Sequence, residues 1–218
     1  MKSILLAAAL TGATAISASA QYYSIANQVA NALQPALSGS TRYKGFVEAS
    51  YAKGLGSLNA DLVGISTSQG FAYSTWFYMG AGLGVDLLFS HPDKGWGDGW
   101  NPNDYHDSTT TGVMIPLFTD FRFNIGNPST AAFFIDLKVG CSFLVNTDYL
   151  RISQGYLTNS EYFYLRPTLG VRIPMNPQNP KQAVNIGVSY QLLATNYWYL
   201  NSGNKPLNML GVNLSYEW

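Results

Sequence analysis

The chain of 218 residues has little charge, two histidines and a single cysteine, Cys141. Charged residues make up 11% of it, against roughly 25% in a typical soluble domain, and the net charge is zero. Without net positive charge or a basic stripe, the chain is not expected to bind nucleic acid. One cysteine cannot form an intramolecular disulfide, so the fold must be stable without one. A mean hydropathy of +0.01 also disfavours a protein with several helical membrane spans.

Aromatic residues and glycine are abundant instead. Tyr, Phe and Trp reach 14% of the residues, and 21 glycines are spread through the chain, which disfavours a helical bundle. The length suffices for one domain with a sizeable core. The composition therefore indicates neither an ordinary soluble domain nor a helical membrane protein.

The N-terminus has the three parts of a secretory signal peptide. Lys2 makes a positive start, residues 4–16 are apolar or small, and residues 18–20 (Ala-Ser-Ala) form a small-residue cleavage site. An uncleaved anchor is the alternative, although the apolar stretch is shorter than the ~20 residues that a membrane-spanning helix needs. We expect residues 1–20 to be removed as the protein is exported.

Beyond residue 41, apolar residues alternate with small or polar ones, which is the pattern of β-strands. In segment 77–89, for example, Leu83 and Val85 alternate with Gly84 and Asp86. The alternation predicts eight strands, at 42–52, 59–69, 77–89, 113–124, 133–145, 163–173, 184–192 and 210–218. Each is long enough for the roughly 9–11 residues of a tilted membrane-spanning strand.

The two faces of these strands differ in charge. One face has no charged residue in the middle of any strand, whereas the other holds glycine, serine, asparagine and nearly all of the mid-strand ions. A soluble β-sandwich, the alternative, would place its charges on the outer face of each sheet. An inverted barrel fits better, because lipid meets its apolar face and closure leaves no unpaired strand edge. The predicted fold is all-β, an eight-stranded antiparallel up-and-down transmembrane barrel over residues 42–218.

The polar face predicts a charged interior. Five cationic and five anionic residues point inward under this alternation: Lys44, Arg122, Lys138, Arg166, Arg172, Glu48, Asp86, Asp120, Asp136 and Glu217. A barrel of this size is only wide enough for side chains to fill, and buried charges need partners. We therefore expect a balanced network that plugs the barrel, with a path for protons or ions as the alternative. Gly80, Gly82 and Gly84 thin the wall so that larger interior side chains fit.

Aromatic residues concentrate near both ends of the strands, as expected for anchoring at two membrane interfaces. One predicted girdle includes Tyr43, Trp76 and Trp218, and the other includes Tyr51 and Tyr162. The connections alternate in length as well. Short periplasmic turns are predicted at 70–75, 125–130 and 174–181, and outer loops at 53–58, 90–108, 146–160 and 198–205.

Residues 21–41 do not alternate. Ile25, Val29 and Leu33 recur every four residues and favour a short amphipathic helix over 24–37. The segment has no charge, and we expect it to form a loosely attached periplasmic helix between the signal peptide and the barrel.

The signal peptide, the alternating strands and the aromatic C-terminus resemble the family of small eight-stranded outer-membrane β-barrels, which includes the transmembrane domain of outer membrane protein A and the X-type barrels. Stretches 45–48 (GFVE), 65–70 (ISTSQG) and 80–84 (GAGLG) resemble barrels common in Bacteroidota. Tyr216 and Trp218 look like the signal that the barrel-insertion machinery reads. The resemblance covers the predicted barrel and implies the cell outer membrane as location, with its lipid and the insertion machinery as partners.

The predicted outer loop 90–108 holds the clearest candidates for a binding surface. Trp96, Trp100 and Tyr105 can stack on a glycan or a partner protein, or fold the loop upon itself. The Asp and Asn side chains of this loop offer oxygen ligands for Ca²⁺, but they serve equally as turn formers, and no EF-hand spacing is present. No metal site and no cofactor is therefore predicted.

A catalytic alternative rests on His106 and Ser108, whose spacing resembles that of outer-membrane lipid A deacylases, with Asp120 further along the same strand. Three features oppose it. Thr109 stands where the family has Asn, the acid is Asp rather than Glu, and the alternation points these side chains inward. A protein without catalytic residues is therefore predicted.

The expected role is structural or adhesive: a plugged outer-membrane barrel that presents its loops to an extracellular protein or glycan. Narrow or gated porin-like transport of small solutes is the first alternative, and lipid modification is the second.

Overall fold

The computed structural model describes residues 41–55, 60–91, 108–127, 129–152, 155–158, 161–178, 180–194, 198–200 and 206–218. The predicted signal peptide 1–20, the predicted helix 24–37 and nearly all of the loop 90–108 lie outside these residues. Among the described residues, no helix is long and apolar enough to cross a membrane.

Eight long strands form a closed antiparallel barrel. They are β1 (Arg42–Gly54), β2 (Ala60–Ala72), β3 (Phe77–Ser90), β5 (Thr111–Ile125), β6 (Ala132–Leu144), β9 (Glu161–Pro174), β10 (Ala183–Ala194) and β12 (Leu207–Glu217). The remaining four strands are short and form a second sheet in the loops: β4 (Ser108–Thr109), β7 (Tyr149–Ile152), β8 (Gly155–Thr158) and β11 (Trp198–Leu200). The barrel closes where β1 pairs with β12, with Val47 opposite Tyr216 and Tyr51 opposite Val212. The predicted eight-stranded up-and-down barrel is confirmed.

The two ends of the barrel differ in their connections. Three short connections, at 73–76, 126–131 and 175–182, lie at one end, which we call the turn end. The chain also enters β1 and leaves β12 at the turn end. The opposite end, which we call the loop end, carries the two longest connections, 91–110 and 145–160, as the sequence predicts.

The outward side of the barrel wall is apolar around its whole circumference. Every barrel strand exposes an aliphatic side chain near its middle: Val47, Ile65, Leu83, Leu117, Ile135, Leu169, Ile186 and Val212. The charged residues at outward positions of the barrel strands, Lys53, Asp61 and Glu161, all lie at the loop end. Soluble monomers rarely expose a contiguous apolar surface larger than about 300–600 Å². The belt is therefore the lipid-facing surface of a transmembrane barrel, and the soluble β-sandwich is excluded.

The interior of the barrel has two parts. Charged side chains occupy the turn end and the middle, whereas the loop end is filled by residues that are at most 1% exposed: Leu62, Leu88, Met114, Leu144, Tyr162, Leu193, Leu207 and Met209. The expectation of a polar interior therefore does not hold at the loop end. Tyr162 was expected in the outer aromatic girdle, but it points inward because Phe163, its neighbour, takes the outward position.

A short hairpin covers the loop end. Strands β7 and β8 lie within 146–160, which the sequence predicts as a loop, and they pair antiparallel with Leu150 opposite Leu157. These two side chains and Ile152 are at most 1% exposed and belong to the interior apolar cluster. Four-residue strands are too short for their period to be distinguished from a loop, so the hairpin is visible only through its packing.

Candidate functional site

The ten charged residues that the sequence places inward all lie on the lumen side of the wall. Their exposure ranges from 0% for Asp120, Asp136 and Glu217 to 5% for Lys44. They come from β1, β3, β5, β6, β9 and β12, so closure of the barrel, rather than proximity in the chain, brings them together. These ten residues form the candidate site, and their ion pairs divide them into three clusters and two carboxyl groups that have no ion pair with a described cation.

Glu48, in the middle of β1, is the centre of the first cluster. Its carboxylate accepts hydrogen bonds from Lys138 Nζ, at 3.0 and 2.9 Å, and from Arg166 Nη2, at 2.5 Å. Asn213 Nδ2 donates to the same carboxylate at 3.1 Å, and Arg166 Nη1 donates to the Tyr164 hydroxyl at 3.4 Å. Bonds from β6, β9 and β12 therefore converge on one side chain of β1, and those from β6 and β9 cross the lumen, since these strands are not neighbours of β1.

Arg122 and Asp136, on the paired strands β5 and β6, form the second cluster. Arg122 Nη2 and Nε donate to Asp136 Oδ2 at 2.6 and 3.2 Å. The guanidinium also lies between the rings of Phe46 and Phe134, 4.1 and 4.4 Å from their centroids, an arrangement that attracts a cation to both aromatic faces. Lys138 Nζ lies 3.7 Å from the same carboxylate oxygen and so connects this cluster to that of Glu48.

Glu217, the last residue of β12, is the centre of the third cluster, at the turn end. Its Oε1 lies 2.6 Å from Lys44 Nζ and 2.6 Å from Arg172 Nη2. Arg172 Nε donates to both carboxylate oxygens at 3.0 and 3.1 Å, and Nη2 donates to the carbonyl oxygen of Pro180 at 2.7 Å. One carboxylate thus holds two buried cations beside the opening of the barrel.

Asp86 and Asp120 lie beside polar side chains of other strands: Gln191 is within hydrogen-bonding reach of Asp86, and Asp136 is within reach of Asp120. Within the described part of the chain, neither carboxylate has a cation within 4.0 Å. Both oxygens of Asp120 are buried and accept no hydrogen bond from a described donor, although Asp120 is opposite Lys138 in the β5–β6 pair. Its carboxyl group instead lies within hydrogen-bonding reach of the Asp136 carboxylate, so the two acids can share one proton. The sequence has five inward cations and five inward carboxylates, which suggests five pairs. In the structure, however, the five cations share three of the carboxylates.

Glycines in the wall make room for large interior side chains. A Cβ atom on Gly82 would lie 2.4 Å from the ring of Phe118, and one on Gly80 would lie 2.1 Å from the hydroxyl of Tyr78. The predicted role of these two glycines is confirmed. At Gly84 the nearest side-chain atom is instead Cβ of Ser66 on the neighbouring strand, at 2.9 Å. A side chain at this position would therefore clash with the neighbouring strand rather than with a large interior side chain.

The apolar cluster at the loop end is the feature that sequence reasoning missed. Its signal is present in the sequence, since Leu62, Leu88 and Met114 occupy inward positions of strands whose other inward positions are mostly small or polar. Those positions lie at the loop ends of β2, β3 and β5, and only the barrel register brings them to one level. The cluster blocks the lumen at the loop end, and the ion pairs block it in the middle.

The structure describes only some of the remaining candidates. Trp96, Trp100 and Tyr105 fall outside the described residues, as does the catalytic candidate His106. Ser108 is the first residue of β4. In the part of the chain that the structure describes, no group of three or more His, Cys, Asp or Glu side chains could hold a metal ion.

Tyr216 and Trp218 lie at the seam where the barrel closes. Their rings stack with centroids 6.0 Å apart, and the Trp218 side chain is 39% exposed at the turn end. The backbones of Trp218 and Gly45 exchange two hydrogen bonds of 3.1 Å. The aromatic C-terminus thus takes part in the β1–β12 pairing that closes the barrel.

Comparison with known proteins is informative for the fold. No family model and no curated protein sequence matches this chain. The crystal structure of Neisserial surface protein A matches 82% of this chain and 96% of its own, with 10% identity and a TM-score of 0.51. The N-terminal β-barrel domain of Pseudomonas aeruginosa OprF matches 82% of this chain and 100% of its own, with 13% identity and a TM-score of 0.44. The outer membrane enzyme PagL matches 79% of this chain and 97% of its own, with 12% identity and a TM-score of 0.44.

Such low identities define a fold and nothing finer. The closed barrel, its apolar belt and the match to Neisserial surface protein A agree on that fold. The chain has the fold of the small eight-stranded outer-membrane β-barrels.

Proposed function

We propose that this protein is an integral outer-membrane barrel with a closed lumen, whose role is to present its loops to an extracellular protein or glycan. The apolar belt supports residence in lipid, and the fold supports the outer membrane. The turn end, with its short connections and both barrel termini, then faces the periplasm. The protein reaches its membrane by export and by the barrel-insertion machinery, and it carries out no catalysis.

The blocked lumen is the observation that carries this proposal. A continuous water path would require separating Glu48 from Lys138 and Arg166 in the middle of the barrel. It would also require displacing side chains such as Leu88 and Met114, which are fully buried at the loop end. Leaving a buried charge without its partner costs about 3–5 kcal/mol, so the closed arrangement is the stable one. A barrel that conducts nothing acts through the parts that it exposes, and at the loop end these are its connections.

Electrical recording tests whether the lumen is closed. We expect the purified full chain, inserted into a planar lipid bilayer, to show no steady open-channel current. Insertion is verified independently by protease protection of the barrel in the same lipid. A steady current from inserted protein would contradict the closed lumen and would favour the alternative, narrow or gated transport of small solutes.

Lipid analysis tests the enzymatic alternative. We expect lipid A mass spectra to be the same for cells that express the wild type, the Ser108→Ala variant or no protein, because Asp120, the proposed acid of that site, is enclosed in the lumen. Thr110→Ala, two residues along the chain, is the matched control. Loss of an acyl chain in wild-type cells that is absent with Ser108→Ala would overturn the non-enzymatic role.

A further inference from the structure

The turn end of the lumen contains a cavity of about 100 Å³ with a cationic wall. Arg42, Lys44 and Arg172 line it, together with polar residues that include Ser74 and Asn124. No carboxylate belongs to this wall among the residues that the structure describes. A buried water takes on the order of 10–15 Å³, so the cavity has room for a group several atoms in size.

The charges beside this cavity do not cancel. Glu217 lies behind the wall and binds Lys44 and Arg172, each at 2.6 Å. These two cations are only 5% and 3% exposed, so a single carboxylate holds both of them in fixed positions. Arg42, at the start of β1, is exposed, and its side chain makes no ion pair or hydrogen bond with another described residue. Three cations thus stand against one anion, which leaves a net positive site.

The cavity wall also has unused hydrogen-bonding capacity. An ammonium group has three donors, and Glu217 is the ion-pair partner of Lys44 among the described residues. The buried amide oxygen of Asn124 has no hydrogen-bond partner in the same part of the chain, and rotation of the amide would present its NH₂ group instead. The Ser74 hydroxyl accepts from the backbone N–H groups of Trp76 and Phe77, at 3.3 and 3.2 Å, and keeps its own proton to donate.

We propose that this cavity binds a small oxyanion, a phosphate or carboxylate group, through Arg42, Lys44 and Arg172. Arginine matches the geometry of such groups with paired N–H donors, and lysine adds a compact charge. Glu217 is a positioning residue, because it fixes Lys44 and Arg172 toward the cavity without reaching the anion. The same chemistry is offered by a dissolved anion and by the phosphate of a lipid headgroup, and two probes separate these sources.

Calorimetric titration of the purified full chain with inorganic phosphate tests the site. The protein is kept in an uncharged, phosphate-free detergent, and sodium chloride holds the ionic strength constant. We expect a single saturable site in the wild type and about tenfold weaker binding in Arg42→Ala, since a hydrogen bond to an ionised group is among the stronger ones. Lys181→Ala is the matched control, because Lys181 is an exposed cation of the same end that does not line the cavity. Its affinity should stay within about twofold of the wild type.

A second titration uses a short-chain phosphatidylglycerol below its micelle concentration. Displacement of bound phosphate by this lipid supports a headgroup as the source, and phosphate binding without displacement supports a dissolved anion. Arg42→Lys keeps the charge but loses the paired donors, so its affinity should lie between those of the wild type and Arg42→Ala. Heat-modifiable gel mobility confirms that each variant is folded. Absence of saturable binding by both probes, or an equal loss in Arg42→Ala and Lys181→Ala, would overturn the proposed site.

Discussion

Glu48, Asp136 and Glu217 hold the five buried cations of the lumen, whereas Asp120 is equally buried and holds none. An ionised side chain loses its hydration when it is enclosed, and only a close partner of opposite charge offsets that cost. Asp136 has such a partner in Arg122. Two aspartates on adjacent strands therefore differ in what they contribute to stability, although sequence and burial make them look alike.

Neutralising these two aspartates should have different effects. Asp136→Asn leaves the Arg122 guanidinium without its carboxylate and should lower the free energy of unfolding by about 3–5 kcal/mol. Asp120→Asn removes a carboxyl group that has no ion pair among the described residues, and the new amide can still donate to Asp136, so the change should be below about 1 kcal/mol or stabilising. Urea unfolding of the full chain in phospholipid vesicles, followed by tryptophan fluorescence, measures both. Equal losses in the two variants would contradict the assignment of the ion pair.

At the scale of elements, the long strands and the short hairpin form for different reasons. The barrel strands alternate over eleven to fifteen residues and pair on both sides, so local pattern and tertiary pairing agree. An isolated hairpin of four-residue strands is marginal in water and needs other contacts. Leu150, Ile152 and Leu157 supply them by entering the apolar cluster of the loop end. The hairpin is thus stabilised by the same side chains that close the lumen.

Leu150→Ala tests this dependence. Removing a fully buried leucine side chain should cost about 2–5 kcal/mol and should make the loop end more sensitive to limited proteolysis. Leu210→Ala is the control, because Leu210 is 50% exposed on the outward face of β12, where lipid chains fill the space that the substitution leaves. Comparable losses of stability in the two variants, with unchanged proteolysis, would show that the hairpin does not depend on the interior cluster.

For the whole molecule, one property decides which environment it needs: polar side chains point into the barrel, and apolar side chains point out of it. Ion pairs lie inside and an aliphatic belt lies outside, and the β1–β12 pairing leaves no barrel edge open. In lipid this arrangement satisfies the backbone, but in water the belt would drive association. Stability of the fold is therefore tied to a lipid or detergent environment.

Gel mobility and fractionation test this property in the full chain. The protein should be recovered in the membrane fraction and should require detergent for extraction. In a denaturing gel, the unheated sample should migrate differently from the boiled one, because the closed barrel resists unfolding until it is heated. Recovery as a monomer in buffer without detergent would contradict the transmembrane barrel.

The alternation of the sequence determined the eight strands, the face that each residue takes and the identity of the ten inward charges, because side-chain direction along a strand is a local property of the backbone. The contacts of the lumen were decided by the tertiary structure. Glu48 and Lys138 are 90 residues apart in sequence, and only barrel closure and register place them within 3.0 Å. Counting charges likewise could not show that Asp120 has no ion pair with a described cation, nor could periodicity show that Tyr162 and the β7–β8 hairpin fill the loop end. Those outcomes depend on which side chains lie at the same height along the barrel axis. The register between neighbouring strands sets that height, and the sequence of a single strand does not reveal it.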